Sequence, residues 1–385
     1  MIKCHKYLPI LMLLHATSLI YAQYPEPRYA HASVLFDSKL YFIGGYDSMG
    51  QPLSNFFYLD LSTSFSTKDT LKFISINDTG LTPSARCNAV ATNNMIYLLG
   101  CSMIEDNSSL VYQYSISSDK WKIPSFNTPS PVHRTINSVV IDPSTGRIYY
   151  SGGNDDANRP LDDMWILNTN NNQLSWQQVT SAPLPFCCLP TILLPDGYIL
   201  YIGNNDSMIR YNIKSNEWGL QPTKGGNPIY VQGFSAVLVP DGRIIVYGGT
   251  SLFRGFNMSQ NDLYVLNTTT YEWSTPEVKN KPITKSFHTA CLYENYMIVA
   301  FGTSNSDNKP NSEIYLLDIT DKTTYKWITD FNLNKSIESG NDHFVIIVGV
   351  VVVSSASVLS FIGYKFYKKR NNKQESSKIV IDDFN

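Results

Sequence analysis

Six times between residues 24 and 331 an apolar segment runs into glycine, at Gly44-Gly45, Gly100, Gly152-Gly153, Gly203, Gly248-Gly249 and Gly302. The repeat distance is 45 to 56 residues, the period of a β-propeller blade. Before each glycine segment lies another apolar run, and tight turn signals such as Asp37-Ser38, Asn93-Asn94, Pro195-Asp-Gly197 and Pro240-Asp-Gly242 separate the two. After each glycine come a polar loop, a third apolar run, and a fourth that carries Trp121, Trp176, Trp218, Trp273 or Trp327. Copy one has lost this tryptophan and reads Leu71-Lys-Phe-Ile-Ser75. A four-stranded antiparallel sheet cannot bury both of its faces alone. Six of them stacked radially cover one another and leave only short outer edges. The pattern predicts an all-β, six-bladed propeller. Copy one holds its own first strand and copy six its own fourth, so no exchange of strands between the ends is expected.

Composition agrees. Hydrophobic residues make up 43% and charged residues 16%, which excludes a disordered chain. The 25 Tyr and 18 Phe suit strands. A formal charge of −2 offers no field for a nucleic acid backbone.

Apolar strand, glycine pair, Tyr- or Trp-bearing third strand and closing Trp together resemble the kelch repeat, from Tyr24 to Phe331. The double glycine is intact in copies one, three and five, while copies two, four and six keep one glycine (Gly100-Cys101, Gly203-Asn204, Gly302-Thr303). The resemblance implies that the glycines allow a sharp turn where a side chain would clash, and that Trp and Tyr pack between blades.

Both termini read as addresses. Residues 1–23 have basic Lys3 and Lys6, an apolar stretch and Ala22 before a cleavage point, the layout of a secretory signal peptide. Residues 344–364 are 21 residues without a formal charge, and a helix of that length covers about 30 Å, the thickness of a hydrocarbon core. Lys365, Lys368, Lys369, Arg370 and Lys373 follow. The positive-inside rule then predicts a type I single-pass protein of the plasma membrane or a secretory-pathway membrane, with residues 365–385 cytosolic. A stalk, residues 332–343, joins propeller and span. The signal carries +2 and the tail +3, leaving −7 for the segment between. Six sequons, at Asn77, Asn107, Asn205, Asn257, Asn267 and Asn334, fit a glycosylated product. The whole arrangement resembles membrane-anchored kelch surface proteins described as galactose oxidase-like, a label that speaks of fold and does not carry chemistry.

Catalytic signals are weak. The copper chemistry implied by a galactose oxidase-like label would draw on two His and two Tyr, one of them crosslinked to Cys. Between signal and membrane span only His31, His133, His288 and His343 are present, without metal-ligand spacing. Asp155-Asp156 and Asp162-Asp163 are paired acids beside one loop, read as solvated or turn-capping, with a glycosidase or Ca²⁺ site as the alternative. No catalytic residue, metal or cofactor is assigned. Five cysteines remain after the signal, an odd number for an oxidising compartment. Cys87 and Cys101 flank one hairpin. Strand alternation sets Cys87 opposite Gly100 and turns Cys101 to the other face, so only a local bulge would join them.

Loops between the second and third strands, residues 46–55, 101–109, 154–161, 204–207, 250–261 and 303–311, share a face with the inter-blade connections and are the longest and most varied segments. Tyr46, Asp47, Arg159, Phe253, Arg254 and Phe256 are candidate ligand anchors there. The partner is expected to be an extracellular protein or a carbohydrate, with the membrane engaged through residues 344–364. A copper-dependent carbohydrate oxidase and a purely structural or adhesive surface protein are the alternatives. The chain is expected to leave the propeller on this same loop face. A 12-residue stalk, reaching at most about 40 Å, would then turn that face toward the membrane.

Overall fold

In each of the six blade sheets the second strand is buried along most of its length, because a neighbouring blade covers each of its faces. The computed structural model describes residues 25–77, 80–103, 109–170, 174–203, 206–226, 231–251 and 262–333, all within the first of two units, Met1–Asp342. Among the described residues no helix is long and apolar enough to cross a membrane. The expected signal peptide, membrane helix and tail lie outside those residues, as do Asn107, Asn205, Asn257 and Asn334. Asn77 and Asn267 are described and exposed.

Blade 1 consists of Ala32–Phe36, Lys39–Ile43, Phe56–Asp60 and Phe73–Ser75. Blade 2 has Asn88–Thr92, Met95–Leu99, Val111–Ser115 and Lys120–Lys122. Blade 3 has Ser138–Asp142, Arg147–Ser151, Met164–Asn168 and Ser175–Val179. Blade 4 has Thr191–Leu193, Tyr198–Tyr201, Ser207–Asn212 and Glu217–Pro222. Blade 5 has Val231–Leu238, Arg243–Ser251, Leu263–Asn267 and Glu272–Ser274, and blade 6 has Thr289–Tyr293, Tyr296–Ala300, Ile314–Asp318 and Thr324–Ile328. First strands touch in cyclic order, blade 6 returning to blade 1. Two blades depart from the expected four strands: Lys224–Gly225 and Glu277–Lys279 add parallel fifth strands to the rims of blades 5 and 6. These connecting segments satisfy edge groups that the outer strand would otherwise leave unpaired.

Six apolar clusters fill the six seams between blades. Each tryptophan of a fourth strand packs back on the preceding blade; Trp327 lies 4.8 Å from the Tyr247 ring and Trp121 5.4 Å from Phe56. Tyr114, Leu167, Tyr211, Leu266 and Leu317 are the register partners of the five tryptophans. In blade 1 the corresponding partner, Leu59, faces Phe73. The seam between blades 6 and 1 compensates for this smaller ring. Phe301 stands there in the first glycine position, at φ 56, with its side chain fully buried 6.0 Å from Phe73.

The first glycine of a pair is needed for close approach. A Cβ on Gly44 would lie 2.2 Å from the Ser84 carbonyl of the next blade, and one on Gly248 2.3 Å from that of Lys285.

At the entry to each first strand one residue is left-handed: Ala30, Arg86, Ile136, Cys188, Gly233 (which is already inside the blade 5 strand) and Phe287, with φ between 50° and 67°. Backbone hydrogen bonds link them across four of the six seams. The Ala30 amide donates to Phe287 O (2.8 Å), Arg86 to Ala30 (2.8 Å), Cys188 to Ile136 (2.9 Å) and Phe287 to Gly233 (2.7 Å). Left-handed backbone costs about 1–2 kcal/mol for a residue with a Cβ, and such conformations persist where surrounding bonds over-determine them. The result is a girdle around the channel mouth, on the loop face.

Closure of the ring corrects one expectation. After Ile328 the chain does not leave on the loop face. It doubles back, and Asp330–Phe331 pairs antiparallel with Phe65–Ser66 of blade 1. Phe331 is fully buried, 4.8 Å from Phe65 and 5.2 Å from Tyr296. The Tyr296 hydroxyl donates to Asn332 O, and the Leu333 amide to Ser64 Oγ. Burying Phe331 in the seam therefore carries the chain to the opposite, hairpin-turn face. Strand exchange is absent from the blades, but this two-residue clasp ties the ends.

Cys87 and Cys101 form a disulfide, with Cα atoms 4.3 Å apart. Asn88 pairs with Leu99, so Cys87 does stand opposite Gly100. The left-handed backbone of Gly100, φ 64, breaks the strand alternation and returns Cys101 to the same side.

Candidate binding face

Aromatic and cationic side chains gather at the girdle. Tyr29 lies 5.4 Å from Tyr46 and 6.4 Å from Phe287, ring to ring, and the Arg86 guanidinium sits 5.7 Å over the Tyr46 ring. Arg86 is exposed, while Tyr29, Tyr46 and Phe287 are half-buried. The Tyr46 hydroxyl donates to Ser102 Oγ at 3.3 Å, crossing from blade 1 to blade 2. Six large apolar residues are markedly exposed among those described, and four of them, Met49, Val132, Leu184 and Ile283, lie in loops or blade lead-ins of this face.

Of the expected anchors, Tyr46 is in this patch. Asp47 turns inward on its own loop, where its Oδ1 accepts from the Met49 and Gln51 amides, both at 2.8 Å. Arg159 is tied to Asp155 at 2.7 Å, and Asp155 accepts from the Ala157 and Arg159 amides. Asp47 and Asp155 thus hold equivalent loops in shape. Phe253, Arg254 and Phe256 lie outside the described residues. Tyr29, Arg86 and Phe287 escape a reading by residue type, because the girdle position is filled by Ala, Arg, Ile, Cys, Gly and Phe in turn. Counting back from the glycine register would have aligned them.

Two residues before the girdle stand three buried cations. Arg28 donates to Gly44 O at 2.9 Å, beneath the Phe57 and Phe301 rings. Arg134 pairs with Asp163, which also accepts from Trp165 Nε1 at 2.7 Å. The Arg134 pair holds the Asp163 carboxyl below the usual carboxylate range against the opposing effect of burial. Lys285 donates to Asn311 Oδ1 at 2.8 Å and Glu313 O at 3.0 Å, and burial brings it down to about 7. All three knit a lead-in to the start of its blade's third strand. The acids of 155–156 and 162–163 therefore do not converge: Asp155 shapes a loop, Asp163 pairs inward, and Asp156 meets His133 at 2.6 Å.

The histidines are spread in the same way. His31 Nε2 is 2.8 Å from Thr289 Oγ1 and His288 Nε2 is 2.8 Å from Ser235 Oγ. Burial keeps both rings neutral, pushing His31 well below its ordinary value and His288 down to about 3. His133 bridges Asp156 and Cys101 O. Among the described residues no three His, Cys, Asp or Glu come together in a way that could hold a metal ion.

A profile of the KLHDC2/KLHL20/DRC7 Kelch-repeats domain matches residues 15–203 and 193–354. The chain belongs to the kelch-repeat family. Its kelch propeller is 24% identical to acyl-CoA-binding domain-containing protein 4 of Arabidopsis thaliana over 322 residues, 78% of this chain and 46% of that protein. It is 25% identical to kelch domain-containing protein 1 of Mus musculus over 284 residues, 62% of this chain and 66% of that one. Multiple epidermal growth factor-like domains protein 8 of Mus musculus shares 24% over 274 residues, which is 10% of its own length. The chain thus spans less than two thirds of these relatives. The solved structure of YjhT superposes with a TM-score of 0.63 at 13% identity, covering 79% of this chain and 98% of that one, a likeness of fold.

Proposed function

We propose that this kelch propeller is a non-catalytic binding module that takes a protein partner on its loop face, at the patch of Tyr29, Tyr46, Arg86 and Phe287. The observation that carries the reading is the concentration of exposed apolar and aromatic-cationic groups around a hydrogen-bonded girdle. Aromatic residues and Arg on a rigid frame bind with little loss of side-chain freedom and are the residues that dominate interfaces. Named relatives include proteins joined to other domains, which supports a propeller that serves as a docking element. The secretory signal, the single span at residues 344–364 and the sequons support display outside the cell. The Cys87–Cys101 disulfide agrees with an oxidising compartment. The last described residue, Leu333, is bonded to Ser64 on the hairpin face, away from the loop face.

The test displays the full-length chain on cells and measures capture of a candidate ligand library of secreted and surface proteins. Arg86→Ala and Tyr46→Ala are expected to lose at least about tenfold in affinity for whatever the parent binds, as for hot-spot residues. Asn295→Ala, on the hairpin face, should be neutral. Loss by Asn295→Ala with none by the other two would place the site elsewhere, and a glycan ligand in place of a protein would overturn the partner class.

A further inference from the structure

Among the described residues three cysteines lie outside the disulfide, and two of them are adjacent. Cys187 and Cys188 lie in the lead-in to blade 4, with Sγ atoms 3.0 Å apart. Cys188 is exposed and holds the girdle position, left-handed at φ 64, its amide bonded to Ile136 O at 2.9 Å. Cys291 lies apart in the first strand of blade 6, where burial pushes its thiol up to about 12. We propose that Cys187 and Cys188 are a redox pair at the channel mouth, closed to a vicinal disulfide by a small-molecule disulfide and reopened by a dithiol. This inference does not depend on the identity of any partner.

The chemistry balances without a metal. The Cys187 thiolate attacks one sulfur of a disulfide RSSR; a mixed disulfide forms and RS⁻ leaves, taking up the proton that Cys187 gave to water. The Cys188 thiol then loses its proton and attacks Cys187 Sγ, releasing the second RS⁻. Two thiols are oxidised and one external disulfide is reduced to two thiols. Geometry assigns the order of attack. The Cys188 thiol donates to Cys187, which brings Cys187 down to about 7 and holds Cys188 up, so Cys187 is the nucleophile. Arg86 across the mouth favours the anion on Cys188 when its turn comes.

Closure suits a switch better than a brace. Adjacent Cα atoms across a trans peptide are about 3.8 Å apart, shorter than the roughly 4.4 Å lower limit of unstrained disulfides. Such strain, with exposure, makes a disulfide easily reduced. By contrast Cys87 and Cys101 are 9% and 1% exposed, out of reach of an external thiol. Closing the pair would replace two polar thiols at the mouth with a rigid apolar S–S edge.

The experiment equilibrates the full-length chain in glutathione buffers of stepped potential, traps it with iodoacetamide, and reads peptide masses. The peptide holding Cys187 and Cys188 should pass in one two-electron step from doubly alkylated to two hydrogens lighter than the dithiol. That step should come at a less reducing potential than the one that opens Cys87–Cys101. Cys188→Ser should stop at one glutathione on Cys187, and Cys187→Ser should react more slowly. A peptide doubly alkylated at every potential where Cys87–Cys101 is closed would overturn the proposal. So would glutathione on both sulfurs, or a bond to another chain.

Discussion

The seam between blades 6 and 1 makes a prediction that the other five do not. Phe301 occupies a glycine position and Phe73 a tryptophan position, 6.0 Å apart. Phe301→Gly removes a fully buried ring, which by core truncation costs about 3–5 kcal/mol, and relieves a left-handed backbone worth about 1–2 kcal/mol. The net loss should be about 2–3 kcal/mol. Phe73→Trp alone adds atoms to a filled seam, for about 1–3 kcal/mol of overpacking. Together the two changes rebuild the arrangement of the other blades, so the double variant should lose no more than about 1–2 kcal/mol against an additive expectation near ~4–5. Urea denaturation followed by tryptophan fluorescence measures all four corners of the cycle. Additivity within about 0.5 kcal/mol would show that the two rings do not share a space, and the account of the seam would be wrong.

Three further outcomes are expected. His31 and His288 are neutral when folded and titrate near 6.5 when unfolded, so the unfolded state binds more protons below that pH; stability should fall on acidification, by about 1.4 kcal/mol per histidine at pH 5.5, and His288→Gln should halve the slope of the denaturation midpoint against pH. Replacing both Cys87 and Cys101 by Ser opens a loop of sequence separation 14 and should cost about 3 kcal/mol, read from urea midpoints. Asp163→Ala strands the buried Arg134 guanidinium and should cost about 3–5 kcal/mol, whereas Arg134→Met with Asp163→Ala should cost less; equal losses would deny the pair its role.

Much of the architecture was legible because strands buried on both faces need continuous apolar runs, as at Lys39–Ile43 and Tyr296–Ala300, and because glycine is irreplaceable where Gly44 or Gly248 approaches the next blade. The glycine rule failed to anticipate Phe301, which is tolerated because Phe73 leaves room for it. The girdle was hidden for a related reason: its bonds are made by backbone, so Ala30, Cys188 and Phe287 carry no common side chain. The direction in which the chain leaves was missed because strand order alone sends it to the loop face, while burial of Phe331 against Phe65 and Tyr296 reverses it. Asp47 and Arg159 were named by residue type, and the hydrogen bonds each makes within its own loop are ones that spacing does not reveal. Cys87 and Cys101 met only through the dihedral of one glycine.

Native-state hydrogen exchange at the amides of Ala30, Arg86, Cys188 and Phe287 tests the closed, rigid ring most directly. Each amide lies beside the open mouth yet donates across a seam, so all four should exchange only through global unfolding, with one common free energy of opening. Fast exchange at Ala30 beside slow exchange at Arg86, Cys188 and Phe287 would mean that blades 6 and 1 part in solution, and that the ring does not stay closed beneath the face.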